Sequence, residues 1–304
     1  MSTCPCVATE ANCIDGGDYS YSSDTLVMWQ LGDFGVNSVV GGFGSPYPPY
    51  PYPYDPNEQD LANIIDEDDP GLIITSGDND YVGNYMASVN PSYGEWVRRS
   101  KFWPVPGNHD WDYGGLAPYL AYFSNVDNQR YFAKRFGPVE IFFLDSGYNT
   151  AGVLVEPDGN AAGTFDSNGD PVGGSIQWNW FVDRVRASTA PWKFAVAHHP
   201  DLTSGSSHGP YPAMAWQWSQ LGIRMRVAGH EHSYERLLKG TTTHIVCGTG
   251  GQTLTGFNTP LSPYSIARYN ALRAALRLEI TAERISGTLV DQNGGVHDTF
   301  TLTR

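Results

Sequence analysis

Short apolar runs that are typical of buried strands are each followed by an acidic or amide side chain. Asp33 follows the run at 25–31, Asp78 follows the run at 72–75, and Asn108 stands shortly after a third such run. Carboxylate and amide oxygens can bind a cation. A turn that closes a strand uses the same Gly, Asp and Asn residues, so no single position indicates a metal site.

The histidines are concentrated in the same kind of place. His109 stands in a turn after a strand-like run, a His-His pair at 198–199 ends another run, and His208 lies in a Gly- and Ser-rich loop. His230 and His232 are two apart, so their imidazoles point the same way if the segment is extended. Only two of the eight histidines lie outside these segments. This clustering favours metal binding and acid–base chemistry over core packing.

A βαβ unit would explain how the first two carboxylates come together. Apolar residues recur at helical spacing within 57–65, between the strand-like runs at 25–31 and 72–75. A right-handed crossover makes the two strands parallel, so Asp33 and Asp78 should lie at the same sheet edge, where ligands bind in open α/β sheets. Two carboxylates at that edge repel each other unless a cation lies between them.

Further periodic segments complete the expected fold. The segment 272–302 alternates apolar and polar residues around a turn at 292–295, so it should close a second, antiparallel sheet. With the preceding elements this predicts a four-layer α/β/β/α sandwich of two mixed sheets, with the metal site at a sheet edge. The other expected helices are at 95–100 and 177–187, and the other expected strands are at 131–133, 139–144 and 194–197.

Length and charge limit the domain organisation and the partners. The chain has 304 residues, and we expect a single domain at 25–304 after an irregular polar arm at 1–24. A Pro/Tyr alternation at 46–54 excludes a helix and indicates a polyproline-like surface excursion, either a recognition loop or a solvated connector. The formal net charge of −14 argues against nucleic acid and anionic membranes as partners.

Cysteine usage leaves the cellular compartment open. Cys4, Cys6 and Cys13 crowd the N-terminus, and Cys247 lies alone in an apolar run. Zinc binding by the first three would lack a fourth ligand, so a disulfide or free thiols are expected. The first residues do not form a charged and then apolar signal segment. A cytosolic protein and an exported mature chain both fit this, and an extracellular or periplasmic location is slightly favoured.

Five short strings contain most of these side chains. They are Gly-Asp-Phe-Gly at 32–35, Gly-Asp-Asn-Asp-Tyr at 77–81, Gly-Asn-His-Asp at 107–110, Ala-His-His-Pro at 197–200 and Gly-His-Glu-His at 229–232. In order and spacing they resemble the calcineurin-like metallophosphoesterases over about residues 25–302. The first string has Asp-x-Gly where that family usually has Asp-x-His. This feature, and a Tyr three residues after Asp78, are similar to the purple acid phosphatase branch.

The resemblance implies a dinuclear centre of iron, expected as Fe(III), and a divalent ion that could be Zn, Fe or Mn. The implied iron ligands are Asp33, Tyr81 and His232; the implied ligands of the second ion are Asn108, His198 and His230; and Asp78 would bridge the two ions. His198 precedes an x-Pro pair as the family's ligand does, whereas His199 fits a looser spacing from Val196. The choice between His198 and His199 therefore stays open at this point.

The resemblance also implies a reaction. His109 and His208 correspond to histidines that contact phosphate or protonate the leaving alkoxide, and the expected activity is that of an acid phosphatase-like hydrolase. Two ions ~3.5 to 4 Å apart can hold phosphate oxygens and activate a hydroxide that attacks a phosphate monoester. The implied substrate is a phosphorylated small molecule. The alternatives are a phosphodiesterase or nucleotide hydrolase on the same site, and a binding or assembly protein that retains the fold.

Overall fold

The computed structural model describes residues 25–35, 56–147, 149–152 and 160–304. The expected N-terminal arm and the Pro/Tyr run lie outside the described residues, as do Cys4, Cys6 and Cys13. The predictions about these segments therefore stay predictions.

The described chain alternates between strands and helices. The helices are α1 (Pro56–Asp68), α2 (Tyr85–Ser88), α3 (Asn90–Arg98), α4 (Ala117–Tyr122) and α5 (Ile176–Ala187), with 3-10 turns at His109–Trp111, Ser124–Val126 and Pro212–Met214. The strands are β1 (Leu26–Leu31), β2 (Leu72–Thr75), β3 (Phe102–Trp103), β4 (Phe132–Phe136), β5 (Val139–Phe143), β6 (Thr164–Phe165), β7 (Pro171–Val172), β8 (Trp192–Val196), β9 (Met225–Ala228), β10 (Tyr234–Lys239), β11 (Thr242–Cys247), β12 (Ser265–Tyr269), β13 (Ala274–Ile280), β14 (Arg284–Asp291) and β15 (Val296–Thr303).

The expected βαβ unit is confirmed in the first sheet. β1 and β2 are parallel, with Gln30 opposite Ile74, and α1 connects them. Every residue of β2 is buried, as expected for a strand covered on both faces. α1 buries Leu61 and Ile65, two of the residues that predicted the helix. β3 extends the parallel order from β2.

The C-terminal strands do not form a separate sheet, and that expectation was wrong. β13, β14 and β15 are antiparallel to one another, but β13 also pairs with β1, with Met28 opposite Leu278. The first sheet therefore has six strands in the order β15-β14-β13-β1-β2-β3. Alternation of apolar and polar residues predicts antiparallel strands with one buried face, but it does not tell which free strand edge they will join.

The second sheet has seven strands in the order β12-β10-β11-β9-β8-β5-β4. Its four central strands, β5, β8, β9 and β11, are parallel, and the outer strands are antiparallel to their neighbours. Both large sheets are therefore mixed. In this arrangement the carboxyl ends of β8 and β9 lie side by side.

The two sheets and their helices form the predicted four-layer α/β/β/α sandwich. A large apolar cluster includes side chains of both sheets and of α1 and α3, such as Ile65 and Trp96. A smaller cluster lies on the other face of the second sheet, where Phe181 of α5 packs against Phe142 of β5. The longest helix in the described ranges has 13 residues, too short to traverse a bilayer, which needs about 20.

Candidate metal centre

The five strings meet where the carboxyl ends of strands from both sheets converge. Asp33 follows β1, Asp78 follows β2 and Asn108 lies after β3, all in the first sheet, whereas His198 follows β8 and His230 follows β9 in the second. Each sheet therefore contributes part of the site. Asp33, Asp78 and His198 are almost completely buried.

His198 is at the middle of one group of donor atoms. Its Nε2 lies 2.9 Å from Asn108 Oδ1, 3.1 Å from His230 Nδ1 and 3.3 Å from Asp78 Oδ2. Its Nδ1 lies 2.8 Å from the carbonyl oxygen of Ser76, which can only accept a hydrogen bond. Nδ1 therefore donates its proton to that carbonyl. Nε2 points toward the other possible metal-ligand atoms, as in histidines that bind metals. Donor atoms of Asp78, His198 and His230 all lie within 4.8 Å of one another.

Asp33 is at the middle of a second, adjacent group. Its Oδ1 lies 3.4 Å from the Tyr81 hydroxyl and 3.5 Å from His232 Nε2. The same oxygen is 3.9 Å from His198 Nε2, so the two groups are contiguous. Carboxylate, phenol, amide and imidazole donors thus surround one small volume, which is the donor set expected for borderline and hard metal ions.

Three of the converging residues have a left-handed backbone. The φ angles are 57° at Asp33, 51° at Asp78 and 69° at His230, a region that non-glycine residues rarely occupy. Hydrogen bonds hold two of these conformations: the Asp33 amide donates to the Gly77 carbonyl at 3.0 Å, and the His230 amide donates to the Asp33 carboxylate at 3.0 and 3.1 Å. The backbone strain therefore lies at residues whose side chains could bind a metal, as is common at functional sites.

Close backbone approach brings the strings together. A Cβ on Gly107 would lie 2.1 Å from Asp78 Oδ1, and a Cβ on Gly229 would lie 2.3 Å from Asp33 Oδ2. The absence of side chains at these glycines lets Asp78 and Asp33 reach the neighbouring strand ends. The amide of His109 then donates to Asp78 Oδ1 at 2.9 Å.

The electrostatics of the buried groups fit a bound cation. Burial alone would raise the pKa of Asp78, but the imidazoles of His198 and His109 hold that pKa far below its ordinary value. Burial likewise opposes charge on His198, but Asp78 and Asp33 raise the pKa of this imidazole to about 9. Burial and the same two carboxylates raise the pKa of Tyr81 well above 10. The buried carboxylates therefore favour positive charge beside them, and a metal ion would supply that charge.

The two histidines expected to act on substrate lie beside this group. The His109 ring packs 4.1 Å from the Tyr81 ring, and its Nδ1 lies 3.5 Å from Asp112 Oδ2. The His208 ring lies 4.1 Å from the His230 ring and is partly exposed. Desolvation lowers the pKa of His208, while Glu231 acts in the opposite direction. Both imidazoles thus lie next to expected metal ligands.

His199 has a different environment from His198. Its Nδ1 lies 2.6 Å from the Ser146 hydroxyl, and its ring lies 4.2 Å from that of His230. It is buried behind His230, and desolvation with the neighbouring His198 holds its pKa well below the ordinary value. This geometry favours His198 as the ligand and gives His199 a packing role against His230.

Sequence reasoning missed the roles of Asn79 and Asp80. Asn79 accepts a hydrogen bond from the Thr75 hydroxyl at 2.6 Å and donates to the carbonyl of Val105 at 2.9 Å and to Asp110 at 3.0 Å. Val105 and Asp110 are far from Asn79 in sequence, so no local pattern indicates these two partners.

Asp80 contacts the segment that begins α2. It is buried and accepts hydrogen bonds from the Ser88 hydroxyl at 2.5 Å and the Asn84 amide at 2.8 Å. Asn84 in turn caps α2. The signal available in the sequence was Asn84 at the start of the short helical segment, which marks a cap.

Comparisons with known proteins place this arrangement in a family. A family model described as calcineurin-like phosphoesterase matches residues 16–234, well over half of the chain. Purple acid phosphatase 7 of Arabidopsis thaliana is 24% identical over 257 residues, which are 78% of this chain and 77% of the relative.

Two solved structures have the same fold at low identity. A purple acid phosphatase, PPD1, from seeds of yellow lupin (Lupinus luteus) is 16% identical with a TM-score of 0.68, and the match covers 93% of this chain and 54% of the lupin chain. This chain therefore spans about half of the lupin protein's length. GAP50, described as the anchor in the inner membrane complex of Plasmodium, is 15% identical with a TM-score of 0.63, covering 92% of this chain and 89% of that one. The chain belongs to the calcineurin-like phosphoesterase family, and within it is similar to the purple acid phosphatases.

Proposed function

We propose that this protein is a dinuclear-metal phosphoesterase that hydrolyses phosphate monoesters, as purple acid phosphatases do. The observation that carries the proposal is the convergence of Asp78, His198 and His230, whose donor atoms lie within 4.8 Å of one another. Family membership makes phosphoester hydrolysis the reaction to test on this cluster. Residues 25–304 are proposed to act as one domain, since the first sheet joins strands from Leu26 to Thr303.

The two groups of donors suggest how the metals would be held. Asp33, Tyr81 and His232 would hold Fe(III), since anionic oxygen donors suit a hard, highly charged ion. The other group, Asn108, His198 and His230, would hold a divalent ion such as Zn, Fe or Mn. Asp78, whose carboxylate lies 3.3 Å from His198 Nε2 and also interacts with the Tyr81 hydroxyl, would contact both ions. When bound, two such ions neutralise charge on phosphate oxygens and lower the pKa of a water molecule.

The histidines beside the centre have separate tasks in this proposal. His109 is held between the Tyr81 ring and the Asp112 carboxylate, so its imidazole has a defined orientation from which to donate to a phosphate oxygen. His208 is partly exposed beside His230, where it can donate a proton to the leaving alkoxide. General-acid assistance of this kind contributes about 10² to 10⁴ in rate.

The charge distribution supports a small anionic substrate. The chain as a whole carries a formal charge of −14, which disfavours polyanions over long distances. Loaded with two cations, the site would be locally positive and would attract a phosphate dianion at short range. Recognition of the leaving group would fall to the segments 36–56 and 151–174, much of which lies outside the described residues.

A phosphodiesterase or nucleotide hydrolase would use the same site, and a substrate panel decides between the two. The test compares p-nitrophenyl phosphate with bis-p-nitrophenyl phosphate and nucleotides. Asp78→Asn should lose metal and monoesterase activity together, whereas the exposed Asp183→Asn, a control for the same chemical change, should keep both. Retained hydrolysis by Asp78→Asn would contradict the proposal.

An assembly protein with the same fold is the second candidate. It is favoured by the similarity to GAP50, which is described as an anchor. The absorption spectrum separates the two: a ferric phenolate gives a visible band that Tyr81→Phe should remove, whereas protein that stays colourless and metal-free after preparation with iron and zinc would favour assembly. An extracellular or periplasmic location also remains part of the proposal, to be checked by cell fractionation.

A further inference from the structure

Glu231 lies between His230 and His232, yet its carboxylate binds backbone amides of a distant loop. The residue is completely buried. Its Oε1 accepts hydrogen bonds from the amides of His208 at 2.6 Å and Gly209 at 2.5 Å, and its Oε2 accepts one from the amide of Ser207 at 3.2 Å. Three consecutive amides thus converge on one carboxylate.

The loop is shaped to receive this carboxylate. A Cβ on Gly205 would lie only 2.3 Å from Cδ of Glu231, so the backbone lies directly against the carboxyl group. The base of the loop is held separately: the Ser206 amide donates to the carbonyl of Gly256 at 3.0 Å, and the side chain of Asn258 donates to the carbonyl of Gly205 at 2.8 Å. The base is therefore fixed without Glu231, but 207–209 depend on it.

Consecutive backbone amides pointing into one concavity form an anion site. Here the anion is the carboxylate of Glu231, so these three amides already have a hydrogen-bond acceptor. In the proposed reaction His208 therefore contributes through its imidazole and not through its backbone amide. Glu231 lies in the same segment after β9 as His230 and His232. This short segment therefore presents two proposed metal ligands and also fixes the position of the loop at 207–209.

We propose that Glu231 is a positioning residue that holds His208 against the metal centre in the geometry needed to protonate a leaving group. The proposal rests on the proposed function only for the role of His208. The holding of the loop itself is a property of the folded chain and can be measured without substrate.

Substitution with Gln is the sharpest variant because it keeps the size of the side chain. Both carboxylate oxygens of Glu231 face amide donors, whereas Gln has one oxygen and one NH₂ group. In Glu231→Gln, at least one amide of 207–209 would face another donor, and the loop would leave its present position. Glu283→Gln, an exposed position on a distant turn, serves as the control.

The experiment uses the full-length, metal-loaded protein and has two arms. In the first arm, hydrogen exchange of a peptide covering 203–212 should speed up by about tenfold or more in Glu231→Gln, because charge-assisted hydrogen bonds to the three amides are lost. Metal content should stay at the level of the Glu283→Gln control. Unchanged exchange would overturn the proposal, whatever the activity of the protein.

The second arm compares leaving groups. Loss of a general acid slows alkyl phosphates, which are poor leaving groups, far more than p-nitrophenyl phosphate. Glu231→Gln should therefore lower kcat for an alkyl phosphate by about 10-fold to 100-fold with little change in KM, and the double variant with His208→Ala should lose no more than His208→Ala alone. Additive losses, or equal losses for both substrates, would overturn the proposal. If the parent protein has no phosphatase activity, the proposed function fails, and the exchange arm still decides whether Glu231 positions the loop.

Discussion

The side chain of Asn79 donates a hydrogen bond of 3.0 Å to the carboxylate of Asp110. Asn79 is next to Asp78, and Asp110 is two residues after Asn108, so this bond joins two strings that carry proposed metal ligands. Asp110 also accepts hydrogen bonds from the amide of Gly107 at 2.7 Å and from the Tyr85 hydroxyl at 2.7 Å. A buried network of this kind fixes one loop against the other.

Two substitutions that break this bond should destabilise the protein to different extents. Asn79→Leu leaves a buried carboxylate without one donor and should lower the free energy of unfolding by about 1–3 kcal/mol. Asn79→Asp places two buried carboxylates 3.0 Å apart and should cost more, about 3–5 kcal/mol. Urea denaturation measures both, and the exposed Asn63→Asp should stay within about 0.5 kcal/mol of the parent. Equal stabilities of the two Asn79 variants would refute the inferred network.

The adjacent histidines should differ in metal binding. Because His198 Nε2 faces Asn108 and His230 while His199 Nδ1 faces Ser146, His198→Ala should lose about one of two metal equivalents per chain and His199→Ala should keep both. Metal analysis of protein dialysed under identical conditions makes the comparison. Loss of metal from His199→Ala alone would assign the ligand to the looser spacing from Val196.

A single methyl group at Gly107 should displace a proposed bridging ligand. The added Cβ would lie 2.1 Å from Asp78 Oδ1 and 2.3 Å from the Asp78 amide nitrogen, and the backbone cannot yield as a side-chain tip can. Gly107→Ala should therefore reduce metal occupancy by at least about tenfold at limiting metal. Gly256→Ala is the control, since its Cβ would meet only Ser206 Oγ at 3.5 Å. Equal metal affinity in the two variants would contradict the close approach described above.

Lowering the pH should remove the contribution of Asp201, a buried carboxylate outside the metal centre, to the free energy of unfolding. Burial alone would raise the pKa of Asp201, but His244, at 3.4 Å, and Arg226, at 3.7 Å, hold it below the ordinary value. A depressed pKa in the folded state stabilises above the unfolded pKa of about 3.9, and this stabilisation is lost as pH falls through the folded pKa. The stability difference between the parent and Asp201→Asn should therefore shrink below about pH 4. Denaturant melts at pH 6 and pH 3 check this, and a constant difference would mean that the ion pair contributes no proton linkage.

Short-range patterns explain what could be predicted from the sequence. Apolar runs separated by a helix make parallel strands, so residues after those runs share an edge, as Asp33 and Asp78 do. The same reasoning adds Asn108 to that edge, whereas His198 and His230 follow strands of the second sheet and were grouped with the carboxylates through the family resemblance. Sequence reasoning could not choose between His198 and His199, since that choice depends on which ring meets Ser76, after β2, and which meets Ser146, after β5.

Long-range partners explain what could not be predicted. Glu231 reads as part of a His-Glu-His string, but its role is defined by amides more than 20 residues away. The local sequence around Asp80 is typical of a turn. Its burial depends on how α2 packs, and a local pattern does not show this. The sequence of β13, β14 and β15 predicts that these strands pair with one another. It does not predict that β13 pairs with β1, because that pairing depends on the free edge of β1.

The left-handed backbone at Asp33, Asp78 and His230 has a consequence for laboratory evolution. Each such residue costs about 1–3 kcal/mol of strain, which glycine would relieve. A screen that rewards heat resistance alone should therefore enrich substitutions at these three positions and return robust, inert proteins. For a chain with the proposed activity, selection for turnover would oppose these substitutions and keep the melting temperature below the highest value that the fold allows.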